Sequence, residues 1–199
     1  METPDTLHTF WFGSDPDEAT AIARQSSLWF GKRAEADDTI RERFGPLLNR
    51  AAAGELDHWR ATPRGLLALT LITDQFPRNI HRGSPRAFDC DPLARAWCRE
   101  AIERGADLSS RPVERVFFYL PLEHSEELAD QVEAVRLFRD LADSVDVPLR
   151  PAFDGFLDYA IRHHAVIERF GRFPHRNAIL GRTSTAEELA FLEQPGSSF

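Results

Sequence analysis

The stretch Thr62-Pro63-Arg64-Gly65-Leu66-Leu67-Ala68-Leu69-Thr70-Leu71-Ile72 decides how the rest of the chain is read. Threonine followed by proline is a helix start: the hydroxyl can cap the first free N–H groups, and proline, which has no N–H, fits the first helical position. From 66 to 72 this helix is apolar on almost every face, and a helix without a polar side must be surrounded by others. It is expected at the centre of an all-α fold.

The flanking segments supply the surrounding helices. Ser14 caps a helix carrying Ala19, Ile22, Ala23 and Trp29 as far as Gly31, and a second spans about 35–53, with Ile40, Phe44, Leu47, Leu48 and Ala51 at helical spacing and a kink expected at Gly45-Pro46. Asp91-Pro92 opens a helix closed by Gly105, and Arg111-Pro112 opens a short one that Pro121 interrupts. Ser125 then caps an acidic-tipped helix whose buried stripe is Leu128, Val132, Val135, Leu137, Phe138 and Leu141. A long helix over about 151–171 follows, and Thr185 with Glu188 forms a capping box for a short last one. No segment alternates as a strand does. The predicted architecture is one all-α domain, 1–199, of about eight helices in antiparallel hairpins, with 194–199 as a tail.

A formal charge of −8 argues against non-specific nucleic-acid binding, which needs a dominant basic face. The 24 Lys+Arg include one lysine, Lys32, so positive charge near any site is a guanidinium suited to gripping carboxylate or phosphate. Cys90 and Cys98 are too few for a disulfide framework or a four-thiolate metal site and read as reduced thiols. No basic n-region precedes an apolar core, and no apolar run reaches the roughly 20 residues that span a bilayer. A cytoplasmic protein with neither a membrane nor a nucleic-acid partner is expected.

Chemistry-bearing residues crowd into residues 163–182, His-His-Ala-Val-Ile-Glu-Arg-Phe-Gly-Arg-Phe-Pro-His-Arg-Asn-Ala-Ile-Leu-Gly-Arg. Its first half ends a helix at Gly171; Pro174 forbids continuation and leaves a turn bearing Arg172, His175, Arg176 and Asn177. Residues 74–85 resemble 172–183, since both place Phe-Pro and then Arg-Asn after an apolar helix, as a weak internal duplication would. Asp74, Arg78, Asn79, Arg172, His175, Arg176 and Asn177 are thereby candidate ligand-binding residues for an anion, and a structural role for the same arginines, pairing with the acidic helix, stands beside it. Glu123 and His124, at a break between helices, suit acid–base work, as does His164 with Glu168 one turn on. A metal site built from His164, Glu168, His124, Glu127, Asp74 or His175 is a further reading, although neither the paired Glu-x-x-His motifs of di-metal bundles nor the zincin pattern is present. No cofactor is indicated.

Phe10-Trp-Phe-Gly, Asp74-Gln-Phe-Pro-Arg-Asn, Tyr119-Leu-Pro-Leu-Glu-His-Ser-Glu, Arg169-Phe-Gly-Arg-Phe-Pro-His-Arg-Asn and Phe191-Leu-Glu-Gln-Pro-Gly-Ser-Ser-Phe occur in this order along nearly the whole chain. In these motifs the chain resembles the bacterial family catalogued as domain of unknown function 924. One departure follows Trp29-Phe-Gly-Lys, where Arg-Ala-Glu-Ala-Asp-Asp stands in place of an expected further Phe before Asp. The resemblance implies a helical, tetratricopeptide-like fold and no activity. The expectation is a pocket for a small anionic molecule, with Glu123, His124 and His164 as acid–base groups. The alternatives are a non-enzymatic tetratricopeptide-like adaptor holding a peptide through an arginine clamp, a metal-dependent enzyme using His and Glu ligands, and a scaffold in which the same charges only pair with one another.

Overall fold

Thr62 accepts a hydrogen bond from the Gly65 N–H and begins α4, Pro63–Ile80, in which every residue from 65 to 77 is buried. In the computed structural model, which describes residues 2–198, this helix packs against four others. They are α1 (Pro4–Phe12), α3 (Ala34–Ala52), α5 (Asp91–Glu103) and α6 (Pro112–Glu123). The remaining helices are α2 (Glu18–Trp29), α7 (Leu128–Ser144), α8 (Arg150–Phe170) and α9 (Ala186–Leu192), so the described residues form nine α-helices and no strand. From α3 to α8 each helix packs on the next in the chain, which gives a succession of hairpins.

One apolar core joins α1 through α8, and Trp11, Phe12, Trp29, Phe44, Phe76 and Phe117 form its aromatic centre. Trp29 Nε1 donates to the Trp11 carbonyl at 2.8 Å and ties α2 to α1. A smaller cluster of Val166, Ile167 and Phe173 lies beneath Phe170 and Phe191, and it seats the C-terminal turns on the end of α8.

The sequence reading needs several corrections. Helix α1 was not anticipated: it lasts nine residues, and its Phe-Trp-Phe run has no helical period, although Thr3 and Pro4 start it. Asp17, not Ser14, caps α2. Pro121 does not stop α6, which runs to Glu123, because a proline in the last turn costs one hydrogen bond and tertiary packing covers that cost. In α7 the buried stripe is Gln131, Ala134, Leu137, Phe138, Leu141 and Ala142, which turns Leu128 and Val132 outward. Its N-cap is Glu127, while the Ser125 hydroxyl accepts from the Glu127 N–H. Residues 74–80 and 173–177, alike in sequence, also differ in conformation: the first lie within α4 and the second form a single 3₁₀ turn, Pro174–Arg176.

The start of α4 is packed to the backbone. A Cβ added to Gly65 would lie 1.9 Å from the carbonyl oxygen of Trp59, in the 3₁₀ turn Asp57–Ala61. Gly65→Ala is therefore expected to destabilise the protein by about 2 kcal/mol, even though alanine is the better helix former by about 1 kcal/mol. Urea unfolding measures this; an unchanged midpoint would mean that the turn moves aside freely.

Candidate functional site

The last two turns of α4 carry Asp74, Gln75 and Arg78 toward the end of α6, the start of α5 and the inner face of α8. Asp74 is almost wholly buried. Its Oδ1 lies 2.8 Å from Nδ1 of His124, the C-cap of α6, and its Oδ2 accepts from Gln75 Nε2 at 2.6 Å. Arg78 Nη1 reaches Asp74 Oδ1 at 3.4 Å, and Arg78 grips Asp91 through both oxygens at 2.8 and 3.1 Å. The α6–α7 turn is held by Gln131, whose Nε2 donates to the carbonyls of Glu123 and Ser125 at 2.6 Å each, so His124 sits on a rigid corner.

Arg176 enters from the 3₁₀ turn that follows α8. Its guanidinium carbon lies 4.4 Å from the centroid of the Phe173 ring and 4.8 Å from that of Phe88. Its side chain is only 7% exposed, and the nearest carboxylate is Asp91 Oδ2, 3.8 Å from Nη1. Among the described residues Arg176 Nε is buried without a hydrogen-bond partner. On the other side of His124, Glu123 Oε1 lies 3.2 Å from His163 Nδ1. That nitrogen also lies 2.8 Å from the Tyr159 carbonyl, which can only accept, so the imidazole proton is on Nδ1. The rings of His124 and His163 are 6.2 Å apart.

Burial sets the electrostatics. Burial alone would raise Asp74, but the charges of His124 and Arg78 and the hydrogen bonds from His124 and Gln75 hold it down at about 2. Asp74 is the anion of the site and accepts from His124 Nδ1–H, which makes Nε2 the basic nitrogen. Burial lowers His124, pushes His163 down to about 3 and His175 to about 4, and so favours neutral imidazoles at pH 7. Glu123 rises to about 8, through burial and then the charge of Asp74, and is mainly protonated at neutral pH. Burial and the neighbouring Arg78 bring Arg176 down to about 10, which leaves it a cation. A fixed anion, a basic imidazole nitrogen, a protonated carboxyl and an under-paired cation thus share one site, a combination suited to moving a proton on a bound anion.

Of the candidate residues, Asp74, Arg78, Glu123, His124, His175 and Arg176 are brought together. Four others are placed elsewhere. Asn79 donates to Asp37 on α3 at 2.8 Å, and Arg172 grips Glu188 at 2.6 and 2.8 Å, which pins α9. Asn177 accepts from Arg182 and donates to Ser184 within its own loop. His164 is half-buried, and its neighbour His163 takes the inward position on the stripe Ala160, His163, Ile167. Sequence reasoning missed His163, Asp91, Phe88 and Phe173. His163 was discoverable from that stripe; Asp91 looked like an ordinary acid in the first turn of a helix. Among the described residues no three His, Cys, Asp or Glu side chains are placed to hold a metal, and Cys90 and Cys98 are free thiols.

Fold and site together define an all-helical protein with a buried arginine, histidine and carboxylate cluster where α4, α5, α6 and α8 meet. The chain belongs to the family described as bacterial protein of unknown function (DUF924), whose model matches residues 7–196. It is also similar to the solved structure of a protein of unknown function from Agrobacterium tumefaciens, 39% identical, with a TM-score of 0.80 over 96% of each chain. Among proteins of curated function, none matches. No helix among the described residues is long and apolar enough to cross a membrane.

Proposed function

We propose that this cluster binds a small carboxylate or phosphate and moves a proton on it. The observation that carries the reading is Arg176. A buried guanidinium normally has its donors matched, because leaving them unmatched costs several kcal/mol. Among the described residues Nε has no partner, and the nearest carboxylate, at 3.8 Å, is already held on both oxygens by Arg78. The rings of Phe173 and Phe88 lie against the guanidinium, 4.4 and 4.8 Å from its carbon, and a carboxylate meets such a group edge-on, fork to fork. Asp74 orients His124 so that Nε2 is the base, and Glu123 is the proton donor of the same site.

The test is anion binding followed by thermal unfolding. Acetate and inorganic phosphate are each expected to raise the melting temperature of the wild type in a saturable way, as a ligand bound only by the folded state does. Arg176→Met keeps most of the volume and removes the buried charge. It is expected to fold at least as stably as the wild type and to lose the response. A response that survives in Arg176→Met would rule the site out. A scaffold role for the same residues predicts no response in either protein and a less stable variant.

A further inference from the structure

The charges around Arg176 are balanced. Three guanidinium groups, of Arg78, Arg176 and Arg182, face three carboxylates, Asp74, Asp91 and Glu126. Arg78 grips Asp91 through both oxygens at 2.8 and 3.1 Å and reaches Asp74 at 3.4 Å. Arg182 grips Glu126 through both oxygens at 2.7 and 2.9 Å. Glu126 also accepts at 2.8 Å from the backbone N–H of Phe173, whose ring lies against Arg176. Asp91, Glu126 and Asp74 attract the Arg176 cation, and Arg78 repels it. The other titratable groups of the cluster add no charge at pH 7: Glu123 keeps its proton, and burial holds His124, His163 and His175 neutral.

A first negative charge brought to Arg176 meets its Nε, which has no partner among the described residues and can replace part of the water that the charge gives up. A second negative charge meets Asp74, Asp91 and Glu126, each already matched by an arginine, in a buried place where repulsion is poorly screened. Since Arg176 is itself needed for neutrality, no cation of the cluster is left over to receive that second charge.

We propose that the ligand of this site carries a single negative charge, as a monocarboxylate does, and that the charge balance of the cluster turns away dianions such as a phosphate monoester. The inference rests on the reading of Arg176 as an anion site and adds the charge class of the ligand. Inorganic phosphate then acts through its monoanion.

Methanesulfonate and sulfate test it, because both present a tetrahedral sulfonate group and they differ by one charge at neutral pH. Titration calorimetry of the whole protein at pH 7 and constant ionic strength reads the binding itself. Melting temperature does not serve for this pair, since sulfate stabilises folded proteins by exclusion from their surface. Methanesulfonate is expected to bind at least about tenfold more tightly than sulfate. Asp91→Asn removes one carboxylate, leaves a guanidinium in surplus and is expected to bring the ratio to about one. Glu126→Gln, at a more exposed position, is expected to move it in the same direction. Sulfate bound as tightly as methanesulfonate by the wild type overturns the charge rule and leaves Arg176 as an anion site without charge selection. A preference unchanged in both variants overturns it as well, because shape would then set the selection. If the wild type binds neither methanesulfonate nor acetate, the reading of Arg176 falls and this inference falls with it.

Discussion

Asp74→Ala is expected to destabilise the protein by about 3–5 kcal/mol and to abolish any proton transfer at the site. Asp74 lies 50 residues before His124 in sequence, yet its carboxylate receives His124 Nδ1, Gln75 Nε2 and the charge of Arg78 in a place closed to water. Removing one member of a buried charged network leaves the others desolvated and unmatched, which costs more than the network contributed. Arg78 keeps Asp91; His124 keeps nothing on Nδ1. Asp74→Asn is the milder variant, since an amide oxygen can still accept from Nδ1–H. The pH dependence has a definite sign: because the folded carboxyl sits at about 2 against 3.8, its contribution is complete above pH 3.8 and lost as the pH falls toward 2. Urea unfolding across that window measures the effect, worth about 2 kcal/mol, and a loss below about 1 kcal/mol in Asp74→Ala at pH 7 would show that Asp74 does not hold the corner together.

Glu123→Gln is expected to act in the opposite direction and to stabilise the protein at neutral and alkaline pH. The Glu123 carboxyl is held at about 8 in the fold against 4.5 for an ordinary glutamate. Between these values the unfolded chain has released a proton that the folded chain keeps. Stability is therefore intact below pH 4.5 and drains away as the pH rises to 8. The shift corresponds to about 4–5 kcal/mol when complete. Glutamine keeps the shape and cannot ionise. The variant should match the wild type near pH 4.5 and exceed it by a margin that grows until pH 8. His163 and His175 titrate with the other sign, gaining stability as the pH climbs toward 6.5, and they contribute equally to both proteins. Chemical unfolding of the pair from pH 4.5 to 8.5 isolates Glu123 as the difference between two curves; parallel curves would mean that Glu123 is already ionised in the fold. The same substitution is expected to slow proton transfer, since it removes the proposed donor.

Taken together, the two substitutions separate structure from chemistry. Asp74 holds the site together, so its loss weakens fold and site at once. Glu123 costs stability at neutral pH, and a buried acid with so raised a pKa is the group on which the proposed proton transfer rests.

Much of the fold was legible because helices are specified locally. The cap of Thr62 on Gly65, the apolar run that follows it, the left-handed Gly171 that ends α8 and the box of Thr185 with Glu188 are all set by residues within four positions of each other. The clustering of Arg, His and Asn likewise marked the last turns of α4 and the turn after α8, whose Arg78 and Arg176 both face Asp91. The misread stripe of α7 shows where this stops: Gln131 and Val132 are adjacent, and only the helices packed around them decide that the glutamine turns inward to hold the carbonyls of α6. His163 and His164 pose the same choice one helix later. Whether Arg172 binds a ligand or pins α9, and whether Arg176 is matched or left with a bare Nε, depends on distances between residues far apart in the chain. The sequence by itself determined the helices and the chemical groups available; the tertiary structure decided which groups meet and which charge stays unmatched, because burial and pairing are properties of the packed assembly and of no single segment.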